Sequence, residues 1–297
     1  GSATGENGRL GPCKVGSLAG GYGPRLAERT DEMPKPMVEI GGWPILWHIL
    51  RTYSHYGFNE FLIAGGYKYE IIKRFFLEYH HRDDDVLIDF AADDVKRLAR
   101  ANRTETRAHD EPWRVGVIDT GNETMTGGRI RRLANHLTDG TFLLTYGDGL
   151  SDVDIGEVLR FHRCHGRLAT LTAVRQRSQF GRPQLDGERV TTFAEKPHDS
   201  GEWINAGFLA LEPQVLRYIH TDQSSFETDV LPMLAADDQL RAYRHEGFFQ
   251  PMDTLRDVRH LNGMWNADRA PWKVWDEPRA AVVDQPSEGR RTVGMEW

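Results

Sequence analysis

The sequence predicts an α/β protein in which helices cover both faces of an open, mostly parallel sheet. From residue 14 to about residue 175, short and nearly continuous apolar runs alternate with apolar stripes at helical spacing. This alternation is typical of a parallel sheet that is buried on both faces. In addition, 297 residues with 39% apolar side chains are enough to bury a substantial core.

The predicted strands are the apolar runs. The run from Phe142 to Tyr146 is a clear example, because it leads straight into the turn Gly147-Asp148-Gly149. The predicted strands cover residues 15–19, 58–64, 86–90, 114–119, 142–146 and 169–174, followed by shorter strands at 190–195, 204–211 and 240–245.

The predicted helices follow apolar stripes that recur every three or four residues. Pro44 precedes the first stripe as an N1 residue and Gly57 ends it, whereas Thr254 is the N-cap of the last, with Asp257 three residues on. The helices are predicted near residues 45–53, 71–79, 130–137, 155–162, 213–219, 228–235 and 255–261.

The chain divides into segments of different character. Residues 1–13, which open with Gly-Ser, are interpreted as an expression scar and a disordered lead. The change of pattern after residue 175 predicts a core at 14–175 and a smaller lobe at 176–275. Polar residues 91–112 predict a flexible insertion that is helical in part, and residues 276–297 predict a disordered tail.

Composition excludes several classes of protein. A formal charge of -7 and a pI near 6.0 argue against a general nucleic-acid binder, which needs surplus cations. Cys13 and Cys164 lie far apart and form no C-x-x-C motif, which suits a reducing cytoplasm. No apolar run approaches the ~20 residues that span a membrane.

The stretch from Lys14 to Gly42 has the layout of a phosphate-binding loop. A strand-like run is followed by Gly20-Gly21-Tyr22-Gly23, with the cations Arg25 and Lys35 beyond it. Glycines without Cβ let backbone N–H groups approach an oligophosphate closely. We expect Pro34 and Pro36 to keep the segment around Lys35 out of a helix.

Two standard phosphate motifs do not fit this loop. A P-loop needs Gly-Lys-Ser/Thr at its end, but Gly23 is followed by Pro24 and Arg25. A dinucleotide fingerprint needs a third glycine where this chain has Leu26. Taken alone, such a glycine turn is more often a simple chain reversal than a binding site.

Asp148, between two glycines at a predicted strand end, suits a hard cation, although a lone aspartate in a glycine turn is usually structural. Asp148 follows a predicted buried strand, and ligands bind open parallel sheets at the carboxyl ends of the strands. Asp253 precedes a helix, where it could equally be a turn or cap residue. His162, Cys164 and His165 do not suggest zinc, because no fourth ligand is close in sequence and His162 continues an apolar stripe.

Ten ordered sequence blocks resemble the sugar-nucleotide pyrophosphorylases, and most closely their cytidylyl branch. The blocks are LAGGYGPRL, PKPMVEIGG, WPILWHI, GGYK, EPWRVGVIDTG, MTGGRIRR, YGDG, FAEKP, NAGF and QPMDTLRD. They extend from Lys14 to about Trp275, and EPW, DTG and MTGGR point to the cytidylyl branch. The resemblance implies a Rossmann-like nucleotidyltransferase domain at 14–275, with a nucleotide-binding core at 14–175 and a sugar-binding lobe at 176–275.

The resemblance also implies an activity. Enzymes of this branch join CTP and α-D-glucose 1-phosphate into CDP-glucose, with Mg²⁺ as cofactor, release of pyrophosphate and use of the product in deoxysugar biosynthesis. A phosphate oxygen of the sugar attacks the α-phosphorus in line, so the protein must neutralise charge and align the reactants. A cytoplasmic homo-oligomer is expected, without nucleic-acid or membrane partners.

The family's functional residues map onto named positions of this chain. The implied catalytic residues are Arg25, Lys35, Asp148 and Asp253, with Asp148 and Asp253 as the Mg²⁺ ligands. The implied nucleotide-binding residues are Leu18, Ala19, Gly20, Gly21, Gly23, Thr126, Gly127, Gly128 and Arg129. The implied sugar-phosphate contacts are Gly181, Glu195, Lys196 and Asn205.

Some residues depart from the family pattern. Gly16-Ser17 replaces a β-branched or apolar pair, and Pro24 replaces a threonine and removes one N–H from the phosphate cradle. Arg182-Pro183 and Ala206 lie beside the expected sugar pocket. Two alternatives therefore stay open: an acceptor other than glucose 1-phosphate, and a catalytically weak homologue that binds CTP.

Overall fold

The computed structural model describes residues 13–21, 33–79, 85–92, 94–98, 111–175, 182–186, 188–194 and 202–276. Strands and helices are numbered along the chain. The strands are β1 (Lys14–Leu18), β2 (Glu39–Ile40), β3 (Trp43–Pro44), β4 (Glu60–Gly65), β5 (Asp85–Asp89), β6 (Asp94–Leu98), β7 (Arg114–Asp119), β8 (Phe142–Tyr146), β9 (Gly149–Ser151), β10 (Ala169–Arg175), β11 (Arg182–Asp186), β12 (Arg189–Ala194), β13 (Trp203–Leu211), β14 (Leu240–His245) and β15 (Phe249–Pro251).

The helices lie between these strands and include several short ones. The α-helices are α1 (Ile45–His55), α2 (Tyr69–Glu78), α3 (Thr126–Arg132), α4 (Ala134–Leu137), α5 (Ile155–His165), α6 (Leu231–Ala236) and α7 (Leu255–Asn266). Lys35–Met37, Pro213–Tyr218 and Val274–Asp276 are 3₁₀ helices, and Phe226–Val230 is a π-helix.

A seven-stranded sheet with the order β14-β10-β13-β8-β1-β4-β7 forms the centre of the described structure. The pairs β1/β4, β1/β8, β4/β7 and β10/β14 are parallel, whereas β13 runs antiparallel to β8 and β10. The predicted fold class, a mostly parallel sheet flanked by helices, is therefore confirmed.

The core lies in two layers, one on each face of the sheet. Side chains of a strand alternate between the faces, so Leu143 packs into the layer under α1 and α5 while Leu144 packs into the layer under α3 and α6. Both leucines are almost completely buried. This two-sided burial explains why β8 reads as a continuous apolar run in the sequence.

The last helix, α7, begins with a capping box that positions Asp253. The Thr254 hydroxyl accepts a hydrogen bond from the Asp257 N–H, and the Asp257 carboxylate accepts one from the Thr254 N–H. The same carboxylate accepts from the Asp253 N–H at 3.1 Å. The helix start predicted at Thr254 is confirmed, and it fixes the backbone of the preceding aspartate.

The predicted strand at 86–90 is confirmed, whereas its place in the central sheet and the nature of the segment after it need correction in the part that the structure describes. The strand predicted at 86–90 is β5, but it pairs only with β6 in an exposed antiparallel hairpin. Residues 94–98 belong to the segment that we expected to be a flexible insertion, helical in part, and they form the strand β6. The missed signal is Asp89, whose carboxylate accepts from the N–H groups of Ala91 and Ala92 at 2.9 and 3.1 Å and closes the turn.

Three further helical predictions need correction. The helix predicted near 213–219 is a 3₁₀ helix at Pro213–Tyr218, and the helix predicted near 228–235 begins as a π-helix before α6. Lys35–Met37 also forms one 3₁₀ turn, although we expected its prolines to exclude a helix. Pro36 is compatible with this turn because the first N–H groups of a helix lack intrahelical partners.

The predicted division at residue 175 stays a prediction. Residues 203–211 and 240–245, which we assigned to the smaller lobe, contribute β13 and β14 to the central sheet. Of the predicted lead at 1–13 and the predicted tail at 276–297, residues 1–12 and 277–297 lie outside the described residues. The two described residues are ordered parts of the fold: Cys13 is buried in the core, and Asp276 ends a 3₁₀ helix. Among the described helices, none is long and apolar enough to cross a membrane.

Candidate active site

A cavity of about 590 Å³ opens at the carboxyl ends of β1 and β8. The Gly147 N–H donates to the Leu18 carbonyl oxygen at 3.1 Å, so the two strand ends stay in contact as the chain leaves the sheet. The cavity is lined by Leu18, Ala19, Gly20, Gly21, Lys35, Pro36, Asn122, Glu123, Thr124, Met125, Thr126, Arg129, Tyr146, Gly147, Asp148 and Glu227.

The structure brings many of the sequence-predicted residues to this cavity. Leu18, Ala19, Gly20, Gly21, Lys35, Thr126, Arg129 and Asp148 line it. Asp253 and Asn205 do not line the cavity themselves, but each contacts a lining residue. Asp253 accepts a hydrogen bond from Lys35, and Asn205 donates one to Tyr146. Gly127 and Gly128 are described but do not line the cavity. The remaining predicted residues, Gly23, Arg25, Gly181, Glu195 and Lys196, lie outside the described part of the chain.

Lys35 bridges the two candidate metal ligands. Its Nζ lies 2.6 Å from Oδ2 of Asp148 and 2.6 Å from Oδ1 of Asp253. The Lys35 side chain is only 12% exposed, whereas the two aspartates are 35% and 36% exposed. Two carboxylates from distant parts of the chain therefore contact the same ammonium group at the cavity wall.

A short strand pair brings the two aspartates together. In the antiparallel pairing of β9 and β15, Gly149 lies opposite Pro251. The Met252 N–H donates to the Asp148 carbonyl oxygen at 2.8 Å, which extends this ladder by one step. Asp148 and Asp253 each flank the pair, so their carboxylates are held on adjacent backbones.

The two carboxylates hold Lys35 in its charged form. Burial alone disfavours the ammonium ion, but the charges and hydrogen bonds of Asp148 and Asp253 outweigh it and raise the pKa of Lys35 above its ordinary value. Lys35 is therefore a permanent cation at neutral pH.

Asp148 and Asp253 form a donor set that suits a hard divalent cation. Mg²⁺ is commonly bound by one or two carboxylates together with water and phosphate oxygens. Among the described residues no group of three or more His, Cys, Asp or Glu side chains could hold a metal. Two carboxylates fill only part of the octahedral shell that Mg²⁺ prefers, which leaves positions for water and phosphate oxygens.

Arg129 ties three strand ends together at the cavity. Its guanidinium donates to the carbonyl oxygens of Gly20, Gly65, Gly121 and Asn122 at 2.8–3.2 Å and to the Thr120 hydroxyl at 2.7 Å. Burial and the nearby Arg132 lower its pKa. The implied role of Arg129 in nucleotide binding stays a prediction. What the structure shows is a clamp on the loops after β1, β4 and β7.

The clamp gives Gly20 and Gly66 a role that the sequence did not suggest. A Cβ at Gly20 would lie 2.2 Å from Nη1 of Arg129, and one at Gly66 would lie 2.4 Å from the same atom. Any side chain there would displace the guanidinium. Glycine is therefore required at both positions for protein packing, whatever ligand the loop binds.

Gly127 and Gly128 belong to α3 and are absent from the cavity lining. A Cβ on Gly127 would lie 2.7 Å from the Ser224 carbonyl oxygen, and one on Gly128 would lie 2.3 Å from that of Asp222. These glycines let α3 pack directly on the backbone of residues 222–224. The predicted contact with the base stays untested, and packing alone accounts for both glycines.

Glu227 and Tyr146 line the cavity but were not predicted from the sequence. The Tyr146 hydroxyl donates to Oε1 of Glu227 at 2.5 Å, and the Thr126 hydroxyl donates to Oε2 at 2.5 Å. Tyr146 directly precedes Gly147-Asp148 at a strand end, which is a signal that could have identified it. The context of Glu227 in the sequence carries no comparable signal.

The fold and the site define the class of this protein. A model of the nucleotidyl transferase family matches residues 17–270, so the chain belongs to the nucleotidyl transferase family. Curated relatives are more specific: the glucose-1-phosphate cytidylyltransferase of Salmonella typhi is 45% identical over 261 residues, which cover 87% of this chain and 98% of the relative. The probable glucose-1-phosphate cytidylyltransferase of Bacillus subtilis is 39% identical, with the same coverage of 87% and 98%.

Solved structures agree on the fold. An apo UDP-glucose pyrophosphorylase superimposes with a TM-score of 0.64 at 15% identity and covers 87% of this chain and 99% of its own. HddC from Yersinia pseudotuberculosis superimposes with a TM-score of 0.60 at 21% identity, covering 85% and 99%. The resemblance stated from the sequence blocks is therefore confirmed at the level of family and fold.

Proposed function

We propose that this protein is a cytidylyltransferase that joins CTP and α-D-glucose 1-phosphate into CDP-glucose and pyrophosphate. The observation that carries the proposal is the convergence of Lys35, Asp148 and Asp253 beside the cavity. The names of the relatives that match nearly the whole length of the chain support the same reaction and the same substrates.

The reaction requires alignment and charge neutralisation rather than a nucleophilic side chain. The phosphate oxygen of the sugar attacks the α-phosphorus of CTP while pyrophosphate leaves on the opposite side, and both reactants are anions. Lys35 supplies a fixed positive charge at the cavity wall. In this proposal Arg25 and the backbone from Gly20 to Gly23 neutralise and cradle the nucleotide phosphates.

Mg²⁺ is the proposed cofactor, held by Asp148 and Asp253. When bound, it would neutralise phosphate charge that one lysine cannot balance. The contacts proposed for the sugar phosphate are Gly181, Glu195, Lys196 and Asn205, and those proposed for the nucleotide are Leu18, Ala19, Gly20, Gly21, Gly23, Thr126, Gly127, Gly128 and Arg129.

A substrate matrix tests the proposal and separates it from its alternatives. Pyrophosphate release is measured with CTP, UTP, dTTP and ATP, each against a panel of sugar 1-phosphates and other phosphorylated acceptors. We expect the highest kcat/KM for CTP with glucose 1-phosphate. A different preferred acceptor would favour the reading based on Arg182, Pro183 and Ala206, whereas CTP binding without turnover would favour a nucleotide-binding homologue.

We further propose a homo-oligomer in the cytoplasm. The hairpin β5/β6 exposes Leu87, Ile88 and Phe90, and the Phe90 side chain is 90% exposed. Such apolar surface is typical of a protein contact. Light scattering during size-exclusion chromatography should give a multiple of 33.8 kDa, and Phe90→Ser should shift it toward the monomer.

Cys13 and Cys164 are both free, which suits a reducing compartment.

A further inference from the structure

One carboxylate in the cavity has no part in the proposed chemistry. Glu227 lies in the π-helix Phe226–Val230, a rare type of helix that occurs mostly at functional sites. Its carboxylate accepts hydrogen bonds from three hydroxyl groups: Tyr146 and Thr126, each at 2.5 Å, and Ser225 at 3.2 Å. Two of these donors, Tyr146 and Thr126, also line the cavity.

The bond to Glu227 fixes the proton of Tyr146. An ionised carboxylate can only accept, so the single phenolic proton points at Oε1 of Glu227. The phenolic oxygen also accepts from Nδ2 of Asn205 at 3.4 Å. Toward a ligand, this oxygen can offer only a lone pair.

Thr126 is constrained in the same way. Its hydroxyl proton points at Oε2 of Glu227, and its oxygen accepts from the Phe226 N–H at 2.9 Å. Because a hydroxyl carries one proton, Thr126 can also only accept from a ligand. Tyr146 ends β8 and Thr126 begins α3, so one carboxylate orients the hydroxyl protons of two separate elements of the cavity wall.

We propose that Glu227 is a positioning residue that fixes the hydroxyl protons of Tyr146 and Thr126, so that the cavity presents hydrogen-bond acceptors to the donor groups of its ligands. The inference rests on the proposed function, whose substrates carry such donors in the sugar hydroxyls and in the amino group of cytosine. Glu227 acts through the two hydroxyls rather than by touching the reacting phosphates.

Glu227→Gln tests the inference. The glutamine amide has nearly the same size but donates as well as accepts, so at least one hydroxyl must turn its proton into the cavity. We expect kcat/KM for CTP and glucose 1-phosphate to fall about tenfold to a hundredfold, the range for a hydrogen bond to a charged group. The matched control is Glu246→Gln, which makes the same change at an exposed carboxylate outside the cavity lining and should stay within about twofold of wild type. Wild-type kcat/KM in Glu227→Gln would overturn the inference.

A double-mutant cycle distinguishes positioning from a structural role. In the background Tyr146→Phe with Thr126→Val neither of the two cavity-lining hydroxyls remains to be oriented, so adding Glu227→Gln should change kcat/KM by less than about twofold. If the full loss persists in that background, Glu227 acts directly and the inference is wrong. If Glu227→Gln does not fold, Tyr146→Phe and Thr126→Val are combined instead, and losses that simply add would contradict a shared anchor.

The same variants keep the inference separate from the proposed function. If the wild-type protein forms no CDP-glucose, the proposed function fails, and CTP binding by titration calorimetry replaces turnover. A tenfold loss of CTP affinity in Glu227→Gln that disappears in the Tyr146→Phe, Thr126→Val background would still support the positioning role. Unchanged CTP affinity in Glu227→Gln would overturn the positioning role.

Discussion

The backbone N–H of Met252 donates a hydrogen bond of 2.8 Å to the carbonyl oxygen of Asp148. This single bond extends the β9/β15 ladder to the two residues that flank it, and it sets Asp148 beside Asp253. The two carboxylates then share the Lys35 ammonium at 2.6 Å each. The site therefore depends on the backbone of the loop before α7 as much as on the side chains themselves.

Asp253→Asn should abolish most of the activity. The substitution removes one of the two negative charges on Lys35 and one candidate oxygen ligand, while the amide keeps the shape of the side chain. We expect kcat to fall by about a hundredfold or more, as when a preorganised electrostatic group is lost. CDP-glucose formation at several Mg²⁺ concentrations is the measurement. Asp268→Asn, at a side chain 90% exposed, is the control and should behave as wild type.

Gly66→Ala should destabilise the protein and weaken CTP binding together. The new Cβ would lie 2.4 Å from Nη1 of Arg129, whose guanidinium is held by backbone carbonyls and cannot move freely. We expect a loss of about 1–3 kcal/mol in the free energy of unfolding, measured with urea, and a higher KM for CTP. Gly263→Ala in α7 meets nothing within 4 Å and should instead stabilise by about 0.5–1 kcal/mol. Equal urea midpoints for Gly66→Ala and wild type would refute the clamp.

Gly20→Ala and Gly21→Ala should differ although the residues are neighbours. A Cβ at Gly20 collides with Arg129 at 2.2 Å, whereas one at Gly21 meets no atom within 4 Å and borders the cavity. Gly21→Ala should therefore leave the free energy of unfolding within about 0.5 kcal/mol of wild type and raise the KM for CTP. Gly20→Ala should lower both stability and affinity. The pair is compared by urea unfolding and initial-rate kinetics, and identical stabilities would contradict the assignment.

Stability should fall as pH decreases because of His48. This side chain is fully buried; burial lowers its pKa to about 4, although its bond to the Ile40 carbonyl oxygen acts in the opposite direction. The unfolded chain takes up a proton near pH 6.5, so the stabilisation is complete above that pH and is lost as pH falls toward 4. The expected loss is roughly 2–3 kcal/mol between pH 6.5 and 4.5, at about 1.4 kcal/mol per pH unit.

A comparison of variants isolates this contribution. Burial also lowers the pKa of His162 and His165, so wild type loses stability from several groups in the same direction. His48→Gln should show a shallower fall than wild type when urea unfolding is repeated at each pH. His220→Gln, at an exposed position, should keep the wild-type slope. A His48→Gln curve parallel to wild type would contradict the role of His48.

The sequence predicts the central sheet well because burial on both faces leaves a simple signal. The predicted strands at 114–119, 142–146 and 240–245 match β7, β8 and β14 in their bounds. Strand direction is not encoded in such runs, and so the antiparallel course of β13 could not be read from them. The hairpin β5/β6 was missed because its turn depends on one aspartate side chain rather than on glycine or proline.

At the candidate site, the sequence identified residues that stand in local motifs, but it did not identify a residue whose contacts are all distant in sequence. Lys35, Asp148 and Asp253 each stand in a turn with a recognisable context, and the structure brings them together; their catalytic roles stay predictions. Glu227 is different, since its partners Tyr146 and Thr126 are 81 and 101 residues away. A role that consists of such contacts leaves no pattern around residue 227.

The packing of the last described residues sets a limit on how far the protein can be shortened. The Trp272 indole is completely buried and donates to Nδ1 of His48 at 3.3 Å, and Trp275 lies over the guanidinium of Arg51. Both partners belong to α1, which begins soon after the Lys35 turn. Truncation before residue 272 would remove the two tryptophans that pack on α1. A shortened protein should therefore be expressed at least through Asp276.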